Sequence, residues 1–327
     1  MNPASSPETN GTPQPAPMVS VAMTAFNSAS WLPRAIDSVL QQKISFPIEI
    51  ILGDDGSEDE TVAIARSYQQ RHPGLIHLIE RPENIGIQRN YYETFDLCRG
   101  KYTAWLDADD YWTDPDKLAI QVELMESDPS ISLCGHYIRV VAADGSEKQA
   151  RSPSIGPGRY GLDEMLSTCF LPSLTGLFRT GLHRQLPAWY FELAPVTEWP
   201  LWVLAALSGS IVMIDRVMAD YVHTPGSAAA SRGPAFRDKM EAKFYEYVET
   251  ILPPQWQKFV RAQKGKRYES LAYLFRQDGD FIASRQAALK AFRSPALMDN
   301  VSSKTKALLA AVVRETEWRL SGQKAAS

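Results

Sequence analysis

The sequence predicts an α/β fold in which a mostly parallel sheet is flanked by helices and followed by a helical C-terminal extension. Short apolar stretches alternate with stretches that repeat apolar residues at helical spacing, four times over about 110 residues. Continuous apolar runs are typical of strands buried on both faces of a parallel sheet. Regular strand–helix alternation favours right-handed crossovers between parallel strands. With 327 residues, 44% of them hydrophobic, the chain can bury a sizeable core.

The predicted elements follow one another as far as residue 142. Ser57, with Glu60 three residues later, is typical of a capping box, and Pro115 suits a first helical position. The predicted strands are 19–25, 48–52, 75–80, 102–106 and 131–142, and the predicted helices are 30–42, 58–70, 87–98 and 115–127.

Beyond residue 142 the pattern is less regular and suggests a division into domains. Residues 1–17 are mostly Pro, Ser, Thr, Asn and Gly, which predicts a disordered tail. Residues 18–230 form the predicted α/β domain, and residues 231–327 form a helical C-terminal region. Many Pro and Gly interrupt residues 152–195. The later predicted elements are a helix at 198–207, a strand at 211–214 and short helices at 270–277 and 280–291.

Charge is unevenly distributed along the chain. Residues 258–327 carry 14 Lys and Arg against 6 Asp and Glu, a balance of +8; the remainder carries 20 against 32, and the total is −4. A basic region can meet an anionic membrane surface, a nucleic acid or an acidic partner. It is more often a solvated helical face. Because no aromatic residues interleave with the basic ones on a strand surface, we expect no nucleic-acid partner.

Three cysteines, Cys98, Cys134 and Cys169, are far apart and odd in number. They fit no zinc spacing and no disulfide framework, which favours a reducing compartment. The chain shows no signal-peptide pattern, and its most apolar stretch, 199–214, is short and interrupted. We therefore expect a cytoplasmic protein. Peripheral contact with the inner face of a membrane, through the basic C-terminal helices, is a further hypothesis.

The fourth predicted strand leads directly into Asp107, Asp109 and Asp110. Burying unpaired carboxylates is costly, so we expect them to meet water or a cation. Ligands of open α/β sheets bind at the carboxyl ends of strands. An Asp-x-Asp there can hold a hard divalent cation together with substrate phosphates. The alternative is a polar turn that simply follows a strand.

Four polar motifs come after predicted strands, and their order along the chain is informative. As an ordered set, these motifs resemble the family-2 glycosyltransferases, which have the nucleotide-binding GT-A fold. The resemblance covers about residues 18–225 and includes the segment 173–179, Thr197-Glu198-Trp199 and Tyr221-Val222-His223. The four motifs are Thr24-Ala25-Phe26-Asn27, Asp54-Asp55-Gly56-Ser57, the segment 84–90 and Asp107-Ala108-Asp109-Asp110.

The resemblance implies a donor site for a nucleoside-diphosphate sugar. It implies that the loop after the first strand lines the base and that Asp54 or, preferably, Asp55 accepts a hydrogen bond from the base. Asp107 would contact the ribose, and Asp109 would bind Mn²⁺ or Mg²⁺, with Asp107 and His223 as further ligands. The nucleotide-sugar residues it implies are Thr24, Ala25, Phe26, Asn27, Asp54, Asp55, Gly86, Arg89, Asp107 and Ala108. Arg89 is equally well explained as a surface arginine, and His223 as a solvated or packed residue.

The resemblance also implies a catalytic base just before an aromatic residue at a helix start. Related chains commonly have Asp there, whereas this chain has Glu198, which is one methylene longer. The alternative role of Glu198 is to stabilise a helix N-terminus. Val222 is a second departure, since related chains often carry Arg after that Tyr.

The function implied is that of an inverting glycosyltransferase for cell-surface polysaccharide or glycoconjugate synthesis. It would move a sugar, with UDP as the expected carrier, to a hydroxyl of a saccharide, a lipid-linked saccharide or a protein. A catalytically impaired nucleotide-sugar-binding protein of the same fold is the alternative. A phosphohydrolase is disfavoured because Tyr111 stands where those enzymes usually have Thr or Val, and because three strands precede the motif.

Overall fold

The structure, a computed structural model, describes residues 16–194, 196–223, 233–293, 310 and 312–314. The predicted tail, apart from residues 16 and 17, and the domain boundary at residue 230 lie outside the described residues. Strands in the described part of the chain are β1 Val19–Ala25, β2 Ile48–Asp54, β3 Ile76–Glu80, β4 Tyr102–Asp107, β5 Tyr111–Trp112, β6 Ile131–Ala142, β7 Glu147–Ser152, β8 Gly158–Tyr160, β9 Leu177–Arg179 and β10 Ser210–His223. Helices there are α1 Leu32–Leu40, α2 Thr61–Arg71, α3 Ile87–Asp96, α4 Lys117–Ser127, α5 Leu162–Ser167, α6 Glu198–Ser208, α7 Gly233–Ile251, α8 Pro254–Gln277 and α9 Phe281–Phe292.

All ten strands form one mixed sheet in the order β3-β2-β1-β4-β9-β6-β10-β5, with β7 beside β6 and β8 beside β10. The first four strands are parallel, as the apolar runs predict. Thr24 on β1 is in register with Gly53 on β2 and with Asp107 on β4. This register places the carboxyl ends of the three strands side by side.

The second half of the sheet is less parallel than the sequence predicts. β9 runs antiparallel to both β4 and β6 and thereby joins the two halves. It has only three residues, too few to show a periodic pattern within the Pro- and Gly-rich segment. The predicted strand at 211–214 is part of the longer β10, which is parallel to β6.

Two predicted helix starts are wrong because their side chains make other contacts. Ser57 does not cap α2; its hydroxyl donates to Asp54 at 2.5 Å and accepts from the Asn27 N–H at 2.9 Å. α2 therefore begins at Thr61. α4 begins at Lys117 rather than at 115, since the carboxylate of Asp114 accepts from the Asp116 N–H at 3.0 Å.

The first C-terminal helix packs into the same core as the α/β domain. Phe244 of α7 is fully buried and stacks on Trp199 of α6, with ring centroids 4.4 Å apart. The Tyr245 hydroxyl donates to the Leu166 carbonyl at 2.6 Å. α8 is also much longer than the predicted helix at 270–277. Residues from both sides of the expected boundary thus share one apolar core.

Several of the basic residues of α8 pair with acidic residues of α7. Lys264 lies 2.6 Å from Glu249, and Arg267 lies 2.7 Å from Glu241. Some basic residues of the C-terminal region therefore form ion pairs that connect α7 and α8. Among the described residues, none of the helices has the length and apolar composition needed to cross a bilayer.

Truncating Phe244 should destabilise the whole molecule rather than its C-terminal helices alone. We expect Phe244→Ala to lower the free energy of unfolding by about 3–5 kcal/mol, because it empties a buried aromatic site shared by α6 and α7. Tyr273→Ala on α8, where the side chain is 51% exposed, is the control and should change stability by about 0.5 kcal/mol at most. Chemical denaturation followed by tryptophan fluorescence measures both. An unchanged main transition in Phe244→Ala would contradict a shared core.

Candidate active site

A cavity of about 810 Å³ lies where β1, β2 and β4 end. Its volume is within the range of small-molecule sites. The predicted site residues that line it are Thr24, Ala25, Phe26, Asp55, Asp107, Ala108, Asp109 and Glu198. The predicted site residues that do not line it are Asn27, Asp54, Gly86, Arg89 and His223.

The loop after β1 presents Phe26 and is held by Asn27. Phe26 is 48% exposed, large for an aromatic side chain at a cavity edge. Asn27 has a positive φ of 49°, a conformation that Asn tolerates better than most residues. The Asn27 side-chain oxygen accepts from the Glu58 N–H at 2.9 Å. Asn27 therefore fixes the loop, and Phe26 supplies the flat apolar surface.

The two aspartates after β2 have different surroundings. Asp54 is buried and accepts from both the N–H and the hydroxyl of Ser57, so it organises the turn. Asp55 lines the cavity and accepts from the N–H groups of Ile85 and Gly86 at 2.8 and 3.2 Å. Burial raises the pKa of the Asp55 carboxyl, and these two N–H donors oppose that rise. Asp55 thus joins the end of β2 to the start of α3.

Gly86 and Arg89 belong to the start of α3. Gly86 has a φ of +91°, a backbone conformation that favours glycine. The Arg89 guanidinium lies 5.2 Å from the ring centre of Phe191 and 3.9 Å from Glu93. This is the placement of a surface arginine, and the predicted contact of Arg89 with the nucleotide stays a prediction.

Asp107 accepts hydrogen bonds from four different side chains. The hydroxyls of Tyr91 and Thr24 donate to one carboxylate oxygen at 2.5 and 3.1 Å. The Trp105 indole donates to the same oxygen at 3.3 Å, and the Ser173 hydroxyl donates to the other at 3.1 Å. Burial raises the pKa of Asp107, whereas these donors stabilise its ionised form. The carboxylate is therefore fixed in one orientation at the end of β4.

Asp109 and Asp110 complete the acidic turn. Burial, and then the charge of Asp107, raises the pKa of Asp109 to about 6. Asp110 is buried, accepts from the Val222 N–H at 2.8 Å and connects the turn to β10. Burial and the neighbouring carboxylates hold the pKa of Asp110 well above its usual range. No hydrogen bond from another described side chain reaches the Asp109 carboxylate, which lines the cavity.

Glu198 is the first residue of α6 and lines the same cavity. The Thr197 hydroxyl donates to one of its carboxylate oxygens at 2.8 Å, and the Cys169 thiol lies 3.9 Å from the other. Burial raises the pKa of Glu198. The carboxylate thus combines access to the cavity with a raised proton affinity, as a general base requires.

The later motif residues are placed differently from one another. Tyr221 lines the cavity, but His223 ends β10 beside Ala142 and does not line it. Trp199 and Trp202 are buried, and their indoles donate to the Met165 and Leu171 carbonyls. Neither tryptophan lines the cavity.

The charges of the cavity lining are all of one sign. Five carboxylates line it, those of Asp55, Asp107, Asp109, Asp110 and Glu198, and none of the lining residues described is Lys, Arg or His. Among the described residues, no three His, Cys, Asp or Glu side chains gather into a ready metal-binding group. The oxygen-only donors of the acidic turn nevertheless suit Mg²⁺ or Mn²⁺. Two carboxylates plus phosphate oxygens are a usual ligand set for such ions.

Sequence reasoning did not identify several residues of the site. Tyr91 lies on the apolar face of α3, where its period predicts core packing, and only its hydroxyl reaches Asp107. Ser173 begins the segment 173–179, which the resemblance includes, but no pattern there or at Cys169 predicts which side chains point inward. Ser173 donates to Asp107, which lies 66 positions away in the chain, and local spacing does not reveal such a contact.

The sequence model of glycosyl transferase family 2 matches residues 20–185, just over half of the chain. The chain belongs to glycosyl transferase family 2. The match includes the ends of β1, β2 and β4, which lie at the cavity, but it ends before Glu198.

Family members among curated proteins match parts of the chain. Proteins of Mycobacterium tuberculosis and Mycobacterium bovis, described as uncharacterized, are 32% identical over 204 residues, 62% of this chain and 58% of theirs. The putative teichuronic acid biosynthesis glycosyltransferase TuaG of Bacillus subtilis is 34% identical over 40% of this chain and 50% of its own. The chain thus spans about 58% of the length of the mycobacterial relatives.

Solved structures show the GT-A fold for this chain. Residues 1–349 of S. aureus TarS, also solved with UDP-GlcNAc, are 18% identical with a TM-score of 0.66 and cover 91% of this chain and 87% of theirs. The mannosyltransferase PcManGT of Pyrobaculum calidifontis, solved with GDP-Man and Mn²⁺, gives a TM-score of 0.53 at 18% identity, over 91% and 80% of the two chains. The expected fold class is confirmed.

Proposed function

We propose that this chain is an inverting glycosyltransferase that moves a sugar from a nucleoside diphosphate, with UDP as the expected carrier, to a hydroxyl acceptor. The observation that carries the proposal is the single cavity surface shared by the Asp107–Asp109 turn and Glu198. One side of such a site can hold a diphosphate through a cation, and the other can accept a proton. The name of the relative TuaG, a putative teichuronic acid biosynthesis glycosyltransferase, supports a role in building a cell-surface polysaccharide or glycoconjugate.

A divalent cation fits the charge of this cavity. A diphosphate is itself anionic, so the ionised carboxylates of the lining would repel it, and none of the described lining residues is basic. Asp109, with Asp107 beside it, is the proposed ligand pair for Mn²⁺ or Mg²⁺. When bound, such an ion supplies positive charge where the leaving diphosphate becomes more negative. His223 as a further ligand stays a prediction.

The donor residues follow the same division of roles. Thr24, Ala25, Phe26 and Asn27 form the loop on the base side, with Phe26 offering a face for stacking. Asp55 is the proposed acceptor of a hydrogen bond from the base, and Asp107 the proposed contact of the ribose. Ala108 is buried, and its N–H donates to the Thr24 carbonyl at 3.0 Å, which holds the base side and the acidic turn together.

Glu198 is the proposed general base. Its carboxylate would take the proton of the acceptor hydroxyl while that oxygen forms a bond to the anomeric carbon. The bond from the anomeric carbon to the diphosphate oxygen breaks with its electron pair, and the diphosphate leaves from the opposite face. The Thr197 hydroxyl, 2.8 Å from one oxygen, keeps the carboxylate oriented, and the Cys169 thiol lies 3.9 Å from the other oxygen.

Glu198→Gln should abolish transfer while leaving donor binding intact. We expect a loss of about 10²–10⁴-fold in kcat, because the amide cannot accept the proton. In the wild type, kcat should fall as the pH drops through the raised pKa of Glu198, above the ordinary glutamate value of about 4.3. Release of UDP from a panel of UDP-sugars measures the rate, and NMR of the first product reports whether the anomeric configuration inverts.

The matched control for that experiment is Glu147→Gln, the same change on an exposed strand outside the cavity. It should keep wild-type rates. Equal rates in wild type and Glu198→Gln, or retention of configuration, would contradict the proposal. Donor binding without turnover in the wild type would support the alternative, a nucleotide-sugar-binding protein that has lost the chemistry.

Location in the cytoplasm and contact with the inner face of a membrane remain proposals that rest on composition. If the basic C-terminal region meets lipid, the protein should sediment with vesicles of anionic phospholipid at low salt, and the bound fraction should fall as salt screens the charges. Neutral phosphatidylcholine vesicles are the control. Failure to bind anionic vesicles at low salt would exclude this contact.

A further inference from the structure

The cavity has a second wall that the proposed donor site does not use. It is carried by β6, by the end of β7, by the segment 169–173 and by β10. We call its apolar part the acceptor wall, with members Ile138, Val140, Pro153, Phe170, Pro172 and Tyr221; Ser152, Cys169, Leu171 and Ser173 of the same segments line the cavity beside them.

The acceptor wall is apolar and partly accessible. Val140, Pro153, Pro172 and Tyr221 are half-buried, so each keeps surface toward the cavity. Ile138 and Phe170 also line the cavity but are only 3% and 4% exposed, so the surrounding core holds their side chains in place. None of its six side chains carries a charge. A ligand that covers this wall must therefore present apolar surface to it.

The wall continues directly to Glu198. Cys169, which precedes Phe170 in the chain, lies with its thiol 3.9 Å from the Glu198 carboxylate. A hydroxyl that approaches Glu198 consequently brings its neighbouring groups against the wall. This contiguity assigns the wall to the acceptor rather than to the donor.

The electrostatics of the cavity exclude acceptors of one class. Five carboxylates line it, with no basic side chain among the described lining residues. The negative charge of a diphosphate donor and the positive charge of one divalent cation nearly cancel. The carboxylates therefore still make the cavity electrostatically negative when both are bound. An acceptor that carries a carboxylate or a phosphate beside its reacting hydroxyl would be repelled.

From these observations we infer that the acceptor is an uncharged sugar hydroxyl held next to an apolar group, either an aliphatic chain or an aromatic aglycone. The inference deepens the proposed glycosyl transfer and rests on it. Each methylene group withdrawn from water by the wall should tighten binding about fourfold. The reacting sugar itself should be neutral rather than a uronic acid or a sugar phosphate.

Acceptor glycosides that differ in one feature test the inference. Methyl, hexyl and phenyl glycosides of one neutral sugar, and the hexyl glycoside of the matching uronic acid, serve as acceptors below micelle-forming concentrations. We expect the hexyl or the phenyl glycoside to have a KM at least tenfold below that of the methyl glycoside. The uronide should be at least tenfold worse than its neutral partner. Preference for hexyl over phenyl would point to a lipid-borne acceptor, and the reverse to an aromatic one.

Val140→Thr links the effect to the wall, because it replaces a methyl group by a hydroxyl without changing the shape of the side chain. It should reduce the preference for hexyl over methyl at least threefold. Val212→Thr, at a half-buried position of the same sheet outside the cavity, is the matched control and should leave the preference unchanged. Equal KM values for hexyl, phenyl and methyl glycosides, or a preferred uronide, would overturn the inference.

A binding measurement distinguishes a failure of this inference from a failure of the proposed function. Calorimetry of the hexyl glycoside and of the hexyl uronide, with the protein held in UDP and Mn²⁺, needs no turnover. If the neutral glycoside binds selectively and Val140→Thr weakens that binding, but no acceptor receives a sugar, the acceptor wall is supported and the transferase proposal is contradicted. Transfer that prefers the methyl glycoside or the uronide would support the transferase proposal and contradict the acceptor wall.

Discussion

The arrangement of this protein depends on concentrating carboxylates at the ends of parallel strands, in a cavity that has no Lys, Arg or His among its described lining residues. Buried anions are costly unless they are hydrogen-bonded or paired. Most of them are held by donors from their own surroundings: four side chains for Asp107, two backbone N–H groups for Asp55 and one for Asp110. Asp109 lacks such a donor among the described side chains. The remaining charge is therefore concentrated where a cation and a diphosphate can meet.

The rest of the fold supports this constraint from two sides. Register between β1, β2 and β4 brings the acidic strand ends together, and β9 ties that half of the sheet to β6 and β10. On the other side, the stacking of Trp199 on Phe244 anchors the first turn of α6, where Glu198 stands. The C-terminal helix α7 thus helps to position the proposed base, although the family match ends at residue 185, before both Glu198 and α7.

Much of the α/β half could be predicted because its signals are local. The buried strands and the acidic turn follow from apolar runs and from their order, and the resemblance assigns the fold. What could not be predicted depends on tertiary contacts. Ser57 caps no helix because its hydroxyl is hydrogen-bonded to Asp54 and to the Asn27 N–H. The strand β9 is too short to show a periodic pattern. Likewise, the hydroxyl of Tyr91 reaches Asp107 from a helix face whose spacing indicates only core packing.

Calorimetric titration of UDP, GDP, TDP and CMP, each with and without Mn²⁺, on the wild type and on Asp109→Asn measures whether the acidic turn binds a nucleotide through a metal ion. We expect one nucleotide to bind at least tenfold more tightly with Mn²⁺, since the metal offsets the repulsion between diphosphate and carboxylates. Asp109→Asn should lose this gain, whereas Asp116→Asn, outside the cavity, should keep it. Tight binding that is independent of metal, or a gain that survives Asp109→Asn, would contradict metal-dependent binding of the donor at this turn.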